Sequence, residues 1–101
     1  MIEDPLYLIV HRETVPKPSK FSSLKEISEY NELQRIIEEE EWIQWDGDGS
    51  QLCPGLPKDR FIRVCGGLGR LCVKVQFMLL KQKGYNAEIY WKATRKGYEW
   101  L

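Results

Sequence analysis

Histidine is almost missing from this sequence: His11 is the only one in 101 residues, and only three cysteines accompany it. Cys53, Cys65 and Cys72 are an odd set with no Cys-x-x-Cys pair. That excludes a disulfide framework and a zinc ligand set, and leaves free thiols in a reducing compartment as the expectation. Long apolar runs are missing too, the longest being LYLIV at 6–10, far short of a membrane span. Net charge is absent, fifteen basic residues balancing fifteen acidic ones, so no overall field draws the chain to nucleic acid or membrane. There is no internal repeat and no low-complexity tract. The first residues, MIEDP, are acidic where a secretory leader is basic. The reading is a cytoplasmic protein, one domain over 1–101, with no cofactor, no metal and no membrane partner.

Hydrophobic residues make up 43% of the chain and aromatics 12%, enough to bury a core without metal or disulfide support. LYLIVHRE at 6–13 is a continuous apolar run and suits a central strand covered on both faces. Pro16 and Pro18 keep the next segment extended. Ser23 and Glu26 form a Ser-x-x-Glu capping pair, and Leu24, Ile27, Tyr30, Leu33, Ile36 and Ile37 recur at helical spacing, so a helix is expected over about 23–40. WIQW at 42–45 reads as a short strand or a loop start, DGDGSQLCPGLPKD at 46–59 as a loop, and RFIRVC at 60–65 as a strand. A second helix over about 69–83 ends at Gly84. NAEIYW at 86–91 is a further strand with Ala87, Ile89 and Trp91 on one face, and Trp100 pins the chain end. The order fits an α/β domain with a mostly parallel sheet of about four strands and two main helices. A ferredoxin-like α+β sandwich uses the same order.

Most candidate motifs reduce to turns or surface. DGDGS at 46–50 begins like a calcium loop, but Gln51 and Pro57 stand where glycine and glutamate are required. GGLGR at 66–70 does not complete a dinucleotide fingerprint. FIRVCGG lacks the aromatic pattern of an RNA-recognition strand. The acidic run Glu38–Glu41 is either a solvated helix end or a docking surface for a basic partner. Lys74, Lys81, Lys83, Lys92, Arg95 and Lys96 leave open a basic patch in the second half.

The stretch VCGGLGR at 64–70 is different. Cys65 closes a strand at the edge where α/β folds place their ligands. Gly66, Gly67, Leu68 and Gly69 then lead into a helix start, where free N–H groups favour an anion. Arg70 adds a positive charge, so the thiol pKa is expected to fall. LPKDRFIRVCGGLGR, MLLKQKGYNAEIYW and GYEW together resemble the C-terminal half of a rhodanese domain over residues 56–101. The resemblance implies that Cys65 is a nucleophile carrying sulfur as a persulfide, that the loop N–H groups hold the transferred sulfur, and that Arg70 binds an anionic donor such as thiosulfate. In this sequence Gly66 stands where that family often has arginine, and Leu68 where it has glycine. Cys53 is then either a resolving thiol or incidental, and Cys72 a core residue. The other reading is a non-enzymatic α+β module that binds protein or nucleic acid. Strand direction separates the two: if the first strand runs parallel to FIRVC, His11 and Cys65 share an edge, and if antiparallel they lie far apart.

Overall fold

The computed structural model describes residues 4–48, 50–67 and 69–95, with Gly69 and Arg70 described by their backbone alone. Four strands form one sheet: β1 (Leu6–Val10), β2 (Trp42–Trp45), β3 (Ile62–Gly66) and β4 (Ala87–Thr94). Their order is β2-β1-β3-β4, and every pairing is parallel. Helix α1 (Leu24–Glu39) connects β1 to β2, and α2 (Lys74–Gln82) connects β3 to β4. This is the α/β alternative. The ferredoxin-like arrangement would set β1 and β3 antiparallel, whereas Ile9 pairs with Cys65 and Val10 with Gly66 in parallel register.

The two βαβ units step outward in opposite directions from the central pair, β1 and β3. Right-handed crossovers therefore put the helices on opposite faces. Leu6, Leu8, Val10, Ile62 and Val64 pack with Val73 and Leu80 on the α2 side. Tyr7, Ile9, Cys65 and Ala93 pack with Leu33 and Ile36 on the α1 side. All five residues of β1 are buried, which explains why that strand shows no polar alternation. The long connection from β2 to β3 crosses β1 on the α2 side and contributes Cys53 and Leu56 to that core. It is tied down where a helix would otherwise lie. Gln76 of α2 accepts from the Cys53 N–H (3.2 Å) and donates to Gln51 O, and Tyr85 Oη donates to Leu56 O (2.9 Å).

Helix α1 starts as its sequence requires: Ser23 and Glu26 close a reciprocal capping box. The glutamate run at its other end is solvated, with Glu38, Glu39 and Glu41 exposed, and it is also partly paired. Arg35 pairs with Glu32, Glu39 and Glu40, and Arg60 pairs with Glu41 at 3.1 Å. Two elements differ from expectation. The second helix begins with a π turn at Gly69–Val73 before α2 proper. The last strand extends to Thr94 and carries a bulge: Val64 pairs with Ile89, but Gly66, two residues on, pairs with Thr94, five residues on. An odd offset reverses the facing of the strand. Ala87 and Ile89 therefore pack on the α2 side, while Tyr90 and Ala93 pack on the α1 side and Trp91 is exposed. Trp100, expected to pin the chain end, lies outside the described residues.

At the carboxyl ends of β1 and β3 the two backbones touch. Gly66 has φ 117°, and a Cβ there would lie 2.2 Å from Val10 O. Gly66→Ala is expected to lose about 2–3 kcal/mol of stability by urea unfolding. Gly55, whose φ is also positive but which faces open space, should lose only roughly 1 kcal/mol on the same change. Equal losses would show that the approach to Val10 is not the constraint.

Candidate functional site

The carboxyl edge between β1 and β3 is the point where the chain leaves toward opposite faces, and in open α/β sheets ligands bind in the crevice at such a point. After β1 the backbone turns at once. His11 adopts φ 46° and ψ 58°, a left-handed conformation uncommon outside glycine, and a 3₁₀ turn at Arg12–Thr14 follows. The turn is held by Thr14, whose N–H (2.9 Å) and Oγ1 (2.7 Å) both donate to His11 O. The His11 N–H donates to Trp45 O at 3.0 Å, and the ring Nε2 lies 2.9 Å from Gly47 O. A carbonyl only accepts, so Nε2 carries a hydrogen in this contact. His11 thus ties the loop after β2 to the edge of β1.

After β3 the glycines meet this turn. The Gly67 N–H donates to Val10 O at 2.9 Å, and a Cβ on Gly67 would coincide with the Thr14 hydroxyl. Gly66 O accepts from the Arg95 N–H at 2.8 Å. Packing against β1 therefore accounts for two of the expected loop glycines. Gly69 opens the π turn that runs into α2, and π turns recur at functional sites. Arg70 sits in the same turn by its backbone, its side chain lies outside the described part, and so does Leu68.

Cys65 is where expectation and structure part. Along β3, Ile62 and Val64 face α2, so the alternation of the strand turns Cys65 to the α1 side, away from the helix start that was expected to activate it. The thiol is 0% exposed. Burial pushes its pKa up to about 12, with the Glu32 carboxylate acting in the same direction. That is the reverse of the activation expected from the loop. His11 and Cys65 do share the carboxyl edge, yet the His11 ring is engaged by Gly47 and the thiol by the core. Cys53 is also buried, with its pKa raised by desolvation, while Cys72 is half-buried on the α2 side.

Three edge residues were missed by the sequence reading. Arg12 and Lys17 line a cavity of about 330 Å³ on the α1 side with Glu13, Tyr30, Gln34 and Gln44, and Thr14 locks the turn that carries Arg12. The signal available was the pair of cations just beyond the first strand. A larger groove of about 590 Å³ lies between α1 and β4, lined by Lys25, Glu29, Glu32, Arg35, Trp91 and Lys92. Its charges are largely internal partners. Glu32 is held below the usual carboxylate range by Arg35, and it also accepts from Tyr90 Oη. Glu29, 5% exposed, has its pKa raised by desolvation, opposed by Arg95 3.5 Å away. Among the described residues no group of three His, Cys, Asp or Glu side chains is placed to hold a metal ion.

The class of protein this defines is a small doubly wound α/β domain with a candidate site at its topological switch point. No family model, curated protein or solved structure matches the chain.

Two measurements check the state of the titratable groups. In the native protein iodoacetamide should label Cys72 first and leave Cys65 unmodified until urea unfolds the chain; rapid native labelling of Cys65 would contradict its burial. Because the folded state raises the Cys65 pKa, the protonated thiol favours folding below the unfolded-state value of 9.0, and that contribution is lost as pH rises toward about 12. Cys65→Ala should therefore flatten the alkaline fall in the urea midpoint. Glu29 has the same sign at acid pH: its contribution is full below the unfolded-state value of 4.5 and is lost as pH rises through its raised folded value. Subtracting the stability profile of Glu29→Gln from that of the wild type should reveal a difference that falls with pH in that window.

Proposed function

We propose that this domain binds a small oxyanion at the carboxyl edge of β1 and β3, on the N–H groups of the turn at Gly69–Val73. The observation that carries the reading is the switch point itself. The His11 turn and the glycine turn leave one edge for opposite faces, and the second runs into a helix start, the end at which a helix in general offers N–H groups to an anion. Arg70, which the sequence places in that turn, favours the same ligand charge, whereas Arg12 and Lys17 line a separate cavity on the α1 side together with Glu13. Thiosulfate is one such anion, in keeping with the rhodanese-like resemblance of residues 56–101, and inorganic phosphate is another. A cytoplasmic location belongs to the same proposal, supported by three free cysteines.

Sulfur transfer is the stronger form of this reading. It requires the Cys65 thiolate to attack the sulfane sulfur of thiosulfate, forming a persulfide and releasing sulfite, and an acceptor thiolate then to attack the persulfide sulfur and free Cys65. A thiol buried in the α1 core must first be exposed and deprotonated for that step, so anion binding is the form the geometry favours.

Titration of ¹⁵N-labelled protein with thiosulfate and with phosphate should shift the amides of residues 69–73 and of His11 in a saturable way. Arg70→Ala should weaken the binding about tenfold, and Cys65→Ala should leave it unchanged. Absence of saturable shifts sinks the proposal. A sulfur-atom mass increase on Cys65 after thiosulfate treatment would restore the sulfurtransferase form.

A further inference from the structure

We infer that the segment Lys17–Lys25 is a membrane-contact loop that seats this domain on an anionic phospholipid surface. Phe21 and Leu24 are 85% and 86% exposed, against the near-complete burial of every residue of β1. Isolated exposed hydrophobes are ordinary, but here two bulky ones stand three residues apart, one on the turn before α1 and one at its first residue. Lys17, Lys20 and Lys25 flank them in sequence and are exposed as well. No Asp or Glu falls between Glu13 and Glu26, so a chain of zero net charge carries a local charge of three here. Lys20 Nζ stands 5.2 Å from the Phe21 ring centroid, which places a cation beside the exposed aromatic. The nearest carboxylate, Glu26, is taken up by the Ser23 cap and by Arg95 at 3.2 Å.

Part of the backbone of this turn is already satisfied internally. An N–H inserted without a partner is costly away from water. The Ser19 N–H donates to Ser22 Oγ, the Phe21 N–H to Ser19 Oγ, the Ser22 N–H to Ser19 O and the Ser23 N–H to Glu26 Oε1. Four amides at the tip are thus satisfied within the turn. The arrangement also fixes how the two apolar side chains are presented before any partner arrives, which lowers the ordering cost of association.

A bilayer fits this surface better than a protein does. Neither cavity beside the turn is lined by Phe21 or Leu24, so the patch projects rather than forming a groove for a peptide. A projecting apolar tip flanked in sequence by lysines matches an interface that is negative at its surface and apolar just below it. No helix among the described residues is long and apolar enough to cross a membrane, so the contact is peripheral.

Sedimentation with vesicles tests the inference. The wild-type chain should co-sediment with vesicles containing about 30% phosphatidylserine and bind pure phosphatidylcholine at least tenfold more weakly. Phe21→Ser with Leu24→Ser should lower the affinity for the anionic vesicles about tenfold or more. Lys17, Lys20 and Lys25 changed together to Gln should do the same. These positions are exposed, and an unchanged urea midpoint verifies that each variant is folded. Independently, Phe21→Trp should add emission that a lipid-borne quencher extinguishes when vesicles are present. Failure of the wild type to sediment with the anionic vesicles overturns the inference, and that is also the result expected if the patch docks on a protein. Sedimentation that survives the loss of Phe21 and Leu24 overturns it as well, as does added indole emission in the Phe21→Trp variant that the lipid quencher leaves intact.

Discussion

The contact on which the rest of this structure depends is the close backbone approach at the ends of β1 and β3. Val10 O accepts from the Gly67 N–H, and Gly66 lies so near Val10 that no side chain fits between them. These two strands are the centre of the sheet, and each is flanked by a strand on its other side. With the pair in parallel register, each βαβ unit has one direction left in which to grow, and right-handed crossover then assigns α1 and α2 to opposite faces. The two cores, the buried position of Cys65 and the location of the carboxyl edge all follow from that one alignment.

Electrostatics secures the periphery of this frame without determining it. Arg95 joins three parts of the molecule: its N–H reaches Gly66 O, and its guanidinium pairs with Glu26 and Glu29 of α1. Arg63 lies over Tyr7, Phe61 and Tyr90 and pairs with Glu88 at 2.7 Å, so a charged residue pointing to the α1 side of β3 is accommodated by rings and a carboxylate. Arg35 gathers the glutamates at the end of α1. Individually such half-exposed pairs contribute little to stability. Together they explain how an acidic helix end can sit within a chain of zero net charge.

The candidate site shows where a local reading loses its hold. Cys65, three glycines and a helix start form an activating loop when read along the chain. In space the thiol and the helix start are on opposite faces of the sheet, because Ile62 and Val64 are the residues that face α2. Proximity in sequence stood in for proximity in space, and strand alternation separates the two. The same physics, reversed by the bulge in β4, moves Trp91 away from the face shared by Ala87 and Ile89. Arg12 and Lys17 went unnoticed for a related reason: they have no motif, and the sheet and α1 are what bring them to one cavity.

By itself the sequence determined the local elements and their punctuation. The Ser23–Glu26 capping box, the helical spacing of α1, the fully apolar β1 and the Gly84 stop are short-range features, decided by capping, side-chain periodicity and backbone sterics among near neighbours. Tertiary structure alone decided strand direction, the face on which each strand residue lands, and the environment of every ionisable group. Those depend on pairing between residues far apart in the chain, such as Ile9 with Cys65, for which loop closure and core packing choose among registers that local propensity leaves equal. Gly66 belongs to both: its freedom of φ is legible in the residue type, but the need for it arises only when Val10 arrives from the neighbouring strand.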